Sequence, residues 1–284
     1  MTKTSGGQQV YVVKASGEPE PFASEKLEKS LRNAGASDEV ITHILKDIRE
    51  WITPGITTKK IYARAFSLLR QKRNPSALRY RLKQAILELG PTGYPFEQLI
   101  AQVFTQLGYA TETGKVMKGR SLNHEMDVIA TGAAVQHLIE CKYSTNQGKQ
   151  IGVQVPLYVR ARVDDIVHRQ LGLVRYQGFQ FYAWVITNTK FSADSIQYAE
   201  WNGIHLIGWR YPKSQGLESM LEIHKIYPIT VLPQLSKPTV QQLLQSGIVT
   251  CGQLAKQEKL LQQIVPNQRT YAQLIQSLEE LSKQ

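Results

Sequence analysis

Two neighbouring segments of the sequence place acids and a lysine among apolar residues. Both lie in residues 124–143, where a Thr-Gly turn joins two short predicted strands in the run HEMDVIATGAAVQHLIECKY. Because side chains alternate between the two faces of a strand, Glu140 and Lys142 share one face, and Asp127 can approach them from the first strand. Charged groups rarely lie inside apolar strands unless they are paired or bound to a metal. The spacing therefore predicts a functional site.

The residue types indicate which chemistry such a site would perform. Two converging carboxylates and a carbonyl oxygen form the all-oxygen ligand set that Mg²⁺ or Mn²⁺ prefers. An ion held by Asp127 and Glu140 would polarise a phosphodiester, hold the attacking water and stabilise the leaving oxygen. Lys142 lies about 7 Å along the strand from Glu140. Its side chain could orient or deprotonate the water, or stabilise the charged phosphorane.

The pattern Asp…Glu-x-Lys on an apolar second strand resembles the PD-(D/E)XK nuclease superfamily and, more narrowly, the Mrr-like restriction endonucleases. The resemblance spans residues 94–209 in helix–strand–strand–helix–strand–helix–strand order. It implies a central restriction-endonuclease-like mixed sheet flanked by helices, in a chain of α/β (α+β) class. It also implies that Asp127, Glu140 and Lys142 are catalytic, and that Asp127 and Glu140 bind the metal.

Several polar residues near the motif have two interpretations. Glu97 matches a first-helix glutamate that often joins the metal shell in this superfamily. An acid in the first turn of a helix is also favoured by the helix dipole, so a metal ligand and a cap both stay open. We interpret Glu125 as a solvated strand-end residue rather than an extra ligand, and His124 as a turn residue rather than a phosphate contact. Packing or solvent is the interpretation favoured for Gln154 over contact with the site or with DNA.

The segment before this region is predicted to be mostly helical. A strand is predicted at residues 10–14, followed by a polar Gly-Glu-Pro-Glu-Pro turn. Helices are predicted at 24–34, 38–52 and 58–73. A fourth starts at Asn74-Pro75, where Asn can cap and Pro is tolerated in the first turn, and ends at Leu89 before Gly90-Pro91.

The run VVKASGEPEPFASEKLEKSLRNAG, with ITTKKI further on, resembles the ATP-cone, the nucleotide-binding regulatory module of ribonucleotide reductases and related proteins. The resemblance implies that ATP or dATP binds as an effector through Lys14, Glu20, Lys26 and Thr58. Lysines complement phosphate charge, and Thr58 opens a helix whose N-terminus favours anions. Ala15 stands where ATP-cones often have Arg. The alternative is a small helical module kept for DNA contact or dimerisation.

The last part of the chain is predicted to be a small helical tail. Residues 228–238 are proline-rich and are interpreted as an extended linker. Two short helices around Ser246-Gly247-Ile248 loosely resemble a helix–hairpin–helix, and a helix at 267–281 is predicted only to pack. The predicted domains are thus 9–91, ATP-cone-like; 92–228, nuclease-like; and 229–284, the tail.

The composition favours a polyanionic partner. The 284 residues carry a formal charge of +11, and the isoelectric point is near 9.5. No acid occurs between Glu50 and Glu88, and residues 59–83 are strongly basic; a pair of solvated helix faces is the alternative interpretation. The two cysteines argue against a disulfide framework or a zinc site. No long apolar run or signal core is evident, so we expect a cytoplasmic protein without a membrane partner.

These observations favour a Mg²⁺-dependent endodeoxyribonuclease of the restriction or defence type, regulated by ATP or dATP. DNA is the expected substrate, and a homodimer is expected for double-strand cleavage. Two alternatives stay open: a nucleotide-sensing DNA-binding protein with an inactive nuclease fold, and a regulator of RNA or deoxynucleotide metabolism.

Overall fold

The computed structural model describes residues 9–14, 17–71, 80–146 and 148–282. The chain divides into two compact units, with residues up to Arg81 in the first and nearly all residues from Leu82 onward in the second. The division into domains at 9–91, 92–228 and 229–284 stays a prediction. Ala15, the predicted helix start at Asn74-Pro75 and part of the basic segment 59–83 lie outside the described residues.

The first unit contains a short hairpin and three helices. The elements are β1 (Tyr11–Val13), β2 (Pro19–Pro21), α1 (Ser24–Asn33), α2 (Asp38–Trp51) and α3 (Thr58–Gln71). The helix bounds agree with the predicted ones to within two residues. Apolar residues at helical spacing, such as Ile41, Ile44 and Ile48 of α2, are buried and form the core of this unit.

Strand β2 was predicted to be part of a polar turn, and that prediction was wrong. It pairs antiparallel with β1, with Val12 opposite Glu20. Proline lacks the backbone N–H that a strand donates, so Pro19 and Pro21 favoured the turn interpretation. The backbone hydrogen bonds at the two ends of this strand pair are donated by residues other than the prolines. Lys14 N donates to Glu18 O, and Phe22 N donates to Val10 O.

The second unit is built on a mixed five-stranded sheet. Its elements include β3 (Ala110–Lys118), β4 (Asn123–Thr131), β5 (Val135–Lys142), β6 (Gln150–Ile151), β7 (Gln180–Thr187), β8 (Lys190–Phe191) and β9 (Ile204–Ile207). The sheet order is β3-β4-β5-β7-β9. The first three strands are antiparallel, and β5, β7 and β9 are parallel. The predicted hairpin of residues 124–143 is therefore confirmed as β4 and β5, at the centre of the sheet.

Helices cover both faces of this sheet, which confirms the predicted α/β class. The helices are α4 (Leu82–Leu87), α5 (Tyr94–Gln106), α6 (Gln154–Gln170), α7 (Ala193–Trp201) and α8 (Leu217–Ile223). Val159 and Val163 of α6 pack against the face that carries Leu138. Phe104 of α5 contacts His137, which points to the opposite face.

Residues 228–232 are buried, so the interpretation of 228–238 as an extended linker was wrong. Ile229 and Val231 are fully buried in a short 3-10 turn. Thr230 Oγ1 donates a hydrogen bond of 2.7 Å to Ala85 O. The prolines dominated the sequence signal, whereas the apolar run Ile-Thr-Val-Leu between them supplies the packing.

Four helices make up the described chain from Lys237 onward. They are α9 (Lys237–Gln245), α10 (Cys251–Ala255), α11 (Glu258–Ile264) and α12 (Gln268–Ser282). The predicted pair around Ser246-Gly247-Ile248 corresponds to α9 and α10, and Gly247 adopts a φ of 76° between them. Helix α11 was not predicted. No helix among the described residues combines the length and the apolar character that crossing a bilayer requires.

Candidate active site

The hairpin β4–β5 brings Asp127 and Glu140 to one face of the sheet. The strands pair Val128 with Ile139, so the residues one step further, Asp127 and Glu140, lie across from each other. The Oδ2 atom of Asp127 accepts a hydrogen bond of 2.7 Å from Cys141 N. This bond fixes the aspartate at the end of β5 next to the glutamate.

Glu140 is the most enclosed charge at this place, with only 3% of its surface exposed. Its Oε1 atom lies 2.6 Å from Lys142 Nζ and accepts a 2.6 Å hydrogen bond from the Tyr158 hydroxyl. Its Oε2 atom accepts a 2.8 Å hydrogen bond from Arg162 Nη1. A buried carboxylate is costly unless its oxygens are satisfied, and here both oxygens have donors.

Tyr158 and Arg162 were missed by the sequence analysis, which treated α6 only as a helix packed on the sheet. The two residues are four positions apart and therefore lie on one stripe of the helix. Arg162 also donates through Nη2 to the backbone oxygen of Glu125, so one side chain ties α6 to both β4 and β5. A tyrosine and an arginine beside the apolar stripe of α6 were the available signal.

Glu97, in the first turn of α5, lies close enough to Asp127 and Glu140 for their charges to affect its pKa. Burial raises the pKa of Glu97 to about 7, with further contributions from Asp127 and Glu140. Burial and the charge of Glu140 likewise raise the pKa of Asp127 to about 6. The neighbouring carboxylates thus disfavour the ionised forms of Glu97 and Asp127, a situation that a bound cation would relieve.

Lys142 is charged at neutral pH. Burial is the largest single effect and would lower the pKa of its ammonium, but the hydrogen bonds with Glu140 and Tyr158 and the charge of Glu140 together outweigh burial and raise the pKa above its ordinary value. Burial and the bond to Glu140 raise the pKa of Tyr158 to about 12, so this phenol stays protonated. Both groups are therefore donors, and of the roles open to Lys142, orienting water or stabilising a phosphorane fits better than deprotonation.

The carboxylate oxygens at this place suit a hard divalent cation, although the side chains that carry them are not arranged around a common point. Among the residues that the structure describes, no three His, Cys, Asp or Glu side chains are already placed to hold a metal ion. Glu140 is turned toward Lys142, Tyr158 and Arg162 instead. An ion would therefore have to replace at least one of these donors, while Asp127 and Glu97 supply further oxygens.

The other polar residues near the motif have separate environments. Glu125 and Gln154 are exposed. His124 is a strand residue rather than a turn residue, and its Nε2 lies 2.8 Å from Asp165 Oδ2. Cys141 and Cys251 are both buried free thiols.

In the first unit, three of the four residues assigned to nucleotide contact lie together. Glu20 Oε2 is 2.9 Å from Lys26 Nζ and 3.4 Å from Lys14 Nζ. The hydrogen bond from Lys26, followed by that from Lys14, lowers the pKa of Glu20 despite opposing burial. Thr58 is the first residue of α3.

The carboxyl cluster predicts a specific pH dependence of stability. A group whose pKa is higher in the folded chain binds more protons when folded, so the ion-free protein loses stability as pH rises from about 4.5 to about 7. Glu97→Gln should remove about 1–2 kcal/mol of that loss, after allowance for solvent screening of this half-buried group. Urea unfolding at pH 5 and pH 8 without divalent ions measures it, with Glu125→Gln as control. Equal pH slopes for Glu97→Gln and wild type would contradict this.

Comparison with known proteins identifies relatives of the second unit. Residues 90–209 match the family Restriction endonuclease (Mrr_cat), and residues 227–282 match the family AF1548-like, C-terminal. An uncharacterized protein of Archaeoglobus fulgidus is 34% identical over 163 residues, which are 57% of this chain and 87% of that protein. The crystal structure of AF1548, a protein of unknown function, has a TM-score of 0.54 and 28% identity, covering 68% of this chain and 100% of that one.

A second solved structure is only distantly similar. The restriction endonuclease MspJI in complex with a 27-mer oligonucleotide has a TM-score of 0.36 and 16% identity, covering 61% of this chain and 36% of that one. The identity to the Archaeoglobus protein and the coverage of that protein are high enough to define a family relationship. The chain therefore belongs to the family of this archaeal protein, with a restriction endonuclease domain at residues 90–209 and an AF1548-like C-terminal domain at residues 227–282.

Proposed function

We propose that this protein is a metal-dependent DNA endonuclease that hydrolyses phosphodiester bonds. The observation that carries the proposal is the position of Asp127, Glu140 and Lys142. They lie side by side on β4 and β5 within the part of the chain that matches the restriction endonuclease family. Two carboxylates and a charged lysine at one strand end are the groups that phosphodiester hydrolysis with a divalent ion needs.

The side chains divide the work as follows. Asp127 and Glu140 would hold Mg²⁺ or Mn²⁺, with Glu97 as a third oxygen donor. A bound ion would polarise the phosphate and would supply a water of lowered pKa. Lys142, charged by its contact with Glu140, orients that water or stabilises the extra negative charge of the phosphorane. Tyr158 and Arg162 keep Glu140 in place without taking part in proton transfer.

DNA is the substrate favoured by charge. The chain has a formal charge of +11, and contacts with a polyanion release counterions, so affinity should fall steeply with salt. A purified sample should nick supercoiled plasmid in Mg²⁺ or Mn²⁺ and not in EDTA. Tight DNA binding without cleavage in any divalent ion would favour the alternative, a DNA-binding protein with an inactive nuclease fold.

A second candidate function concerns the first unit, which we propose binds ATP or dATP as an effector. The observation that favours it is the cluster of Lys14, Glu20 and Lys26, where two lysines converge on a single carboxylate. Their combined charge exceeds that of Glu20, so a phosphate can be accommodated next to them. Thr58 at the start of α3 adds a helix N-terminus, which favours anions.

Nucleotide binding is expected to depend on this cluster. The double variant Lys14→Ala/Lys26→Ala should weaken ATP or dATP binding by at least about tenfold, because two charge-assisted phosphate contacts are lost. Isothermal titration calorimetry on the full chain measures this, and Lys46→Ala, an exposed lysine of α2, serves as control. Absence of heat with wild type, or equal affinity in the double variant, would rule out this site.

A further inference from the structure

The turn between β3 and β4 is held by one carboxylate on α6. Gly119 N donates to Leu122 O, which closes the turn, and Arg120 N donates to the backbone oxygen of Asp165. Asp165 Oδ1 accepts from the Ser121 N–H and hydroxyl at 2.9 and 2.7 Å. Its Oδ2 accepts from Leu122 N at 3.1 Å. Three successive backbone N–H groups of the turn are thus satisfied by a single residue.

Further contacts fix the same turn in one conformation. His124 Nε2 lies 2.8 Å from Asp165 Oδ2, and both side chains are largely buried. The hydrogen bonds from Ser121 and then His124 lower the pKa of Asp165, so the carboxylate stays ionised. A side chain at Gly119 would collide with the Asp165 carboxylate, so glycine is required there. A turn fixed this firmly presents its outward side chains in a defined geometry.

The side chains presented outward are apolar and cationic. Leu122 is 66% exposed, and Lys118 and Arg120, which precede it in the same turn, are also exposed. The guanidinium of Arg120 donates from Nη1 to His168 Nε2 at 3.1 Å, which orients it without neutralising its charge. Proteins that bind DNA combine cations that hold the phosphate backbone with an exposed apolar side chain that enters a groove, and this turn carries both.

The turn lies close to the candidate active site because α6 contacts both. Tyr158, Arg162 and Asp165 are spaced by four and three residues and therefore form one stripe of the helix. The first two contact Glu140, and the third holds the turn. Seven residues of helix span about 10 Å, so the turn lies within a few nucleotides of a phosphodiester held at Glu140.

We propose that the turn of residues 118–123 is a preformed DNA-contacting element of the nuclease, in which Lys118 and Arg120 bind phosphates and Leu122 enters a groove. This inference rests on the proposed function and adds the surface that holds the duplex beside the cleaved bond. Asp165 is its positioning residue. The DNA contacts would be independent of sequence in their phosphate part and would set the register of the cut.

The test measures binding of a labelled 20-base-pair duplex to the full chain by fluorescence anisotropy, in EDTA and at several salt concentrations. Arg120→Gln should raise the Kd about three- to tenfold and reduce the salt slope by about 0.9, the value for one lost phosphate contact. Leu122→Ala should raise the Kd by a similar factor with an unchanged salt slope. Val174→Ala and Arg175→Gln, an exposed apolar–cationic pair beyond the end of α6, are the controls and should bind as wild type does.

Asp165→Ala distinguishes a positioning role from a purely electrostatic one. Removing a negative charge near DNA should strengthen binding if charge alone mattered, whereas loss of the fixed turn should weaken it about threefold or more. Tighter binding by Asp165→Ala, or affinities within twofold of wild type for both Arg120→Gln and Leu122→Ala, would overturn the proposal. Plasmid nicking is assayed in parallel. If the wild-type protein nicks DNA while the turn variants bind DNA normally, only the proposed role of the turn is refuted. If the wild-type protein neither binds nor nicks DNA, the proposed nuclease activity is refuted as well.

Discussion

Asp127→Asn is expected to reduce the initial rate of plasmid nicking in Mg²⁺ by about 10²- to 10³-fold, the loss typical for a group that stabilises charge in the transition state. The asparagine side chain has nearly the same shape, and its amide oxygen can still accept the hydrogen bond from Cys141 N. The variant therefore changes charge rather than fold. Loss of one anionic ligand would weaken binding of the ion that would supply the activated water.

The control for this prediction is Glu125→Gln on the same strand. Glu125 is two residues from Asp127, shares its strand face and is exposed. It loses the same charge, yet its side chain makes no contact with Glu140 that the structure records, so nicking should stay within about threefold of wild type. If Asp127→Asn cut DNA as fast as Glu125→Gln, the carboxylate of Asp127 would have no role in hydrolysis.

Glu140→Ala is expected to lower the free energy of unfolding by about 3 kcal/mol in addition to abolishing cleavage. The variant leaves Lys142 and Arg162 without the carboxylate that both contact, and Tyr158 without its acceptor. A partly buried cation left without its partner is strongly destabilising, more so than replacement of the whole set of charges by apolar residues. Chemical denaturation at pH 7 measures the effect.

A double-mutant cycle separates this explanation from simple loss of packing. Combining Glu140→Ala with Arg162→Met removes one of the cations that the first substitution leaves without a carboxylate. The double variant should be destabilised by at least about 1 kcal/mol less than the sum of the two single variants. Strict additivity would mean that Glu140 and Arg162 do not interact in solution. The Arg160→Met variant, whose ion pair is with Asp164, provides the comparison on the same helix.

The hairpin that carries the candidate site could be predicted from the sequence because its signal is local. Alternation of polar and apolar residues over 124–143 determines which side chains share a face, and the observed register agrees. The helices of the first unit could be predicted for the same reason, since apolar spacing and caps are read within one segment. The predictions failed for elements in which the local sequence pattern indicated one structure and packing in the fold produced another.

Strand β2 and the buried residues 228–232 illustrate that conflict. In both, prolines indicate a turn or a linker, whereas pairing with Val12 or burial of Ile229 and Val231 decides the structure. Tyr158 and Arg162 were missed for a different reason. Their role depends on which face of the sheet α6 covers, and that is a property of the assembled fold rather than of a local pattern.

The most direct test is isothermal titration calorimetry of Mn²⁺ binding to the full chain at pH 7.5. The proposed site predicts saturable binding by wild type and by Glu125→Gln, and at least about a tenfold weaker affinity for Asp127→Asn and Glu140→Gln, because an amide is a poorer ligand than a carboxylate for a hard cation. Indistinguishable binding by wild type and both amide variants would place the ion elsewhere and contradict the assignment of the site.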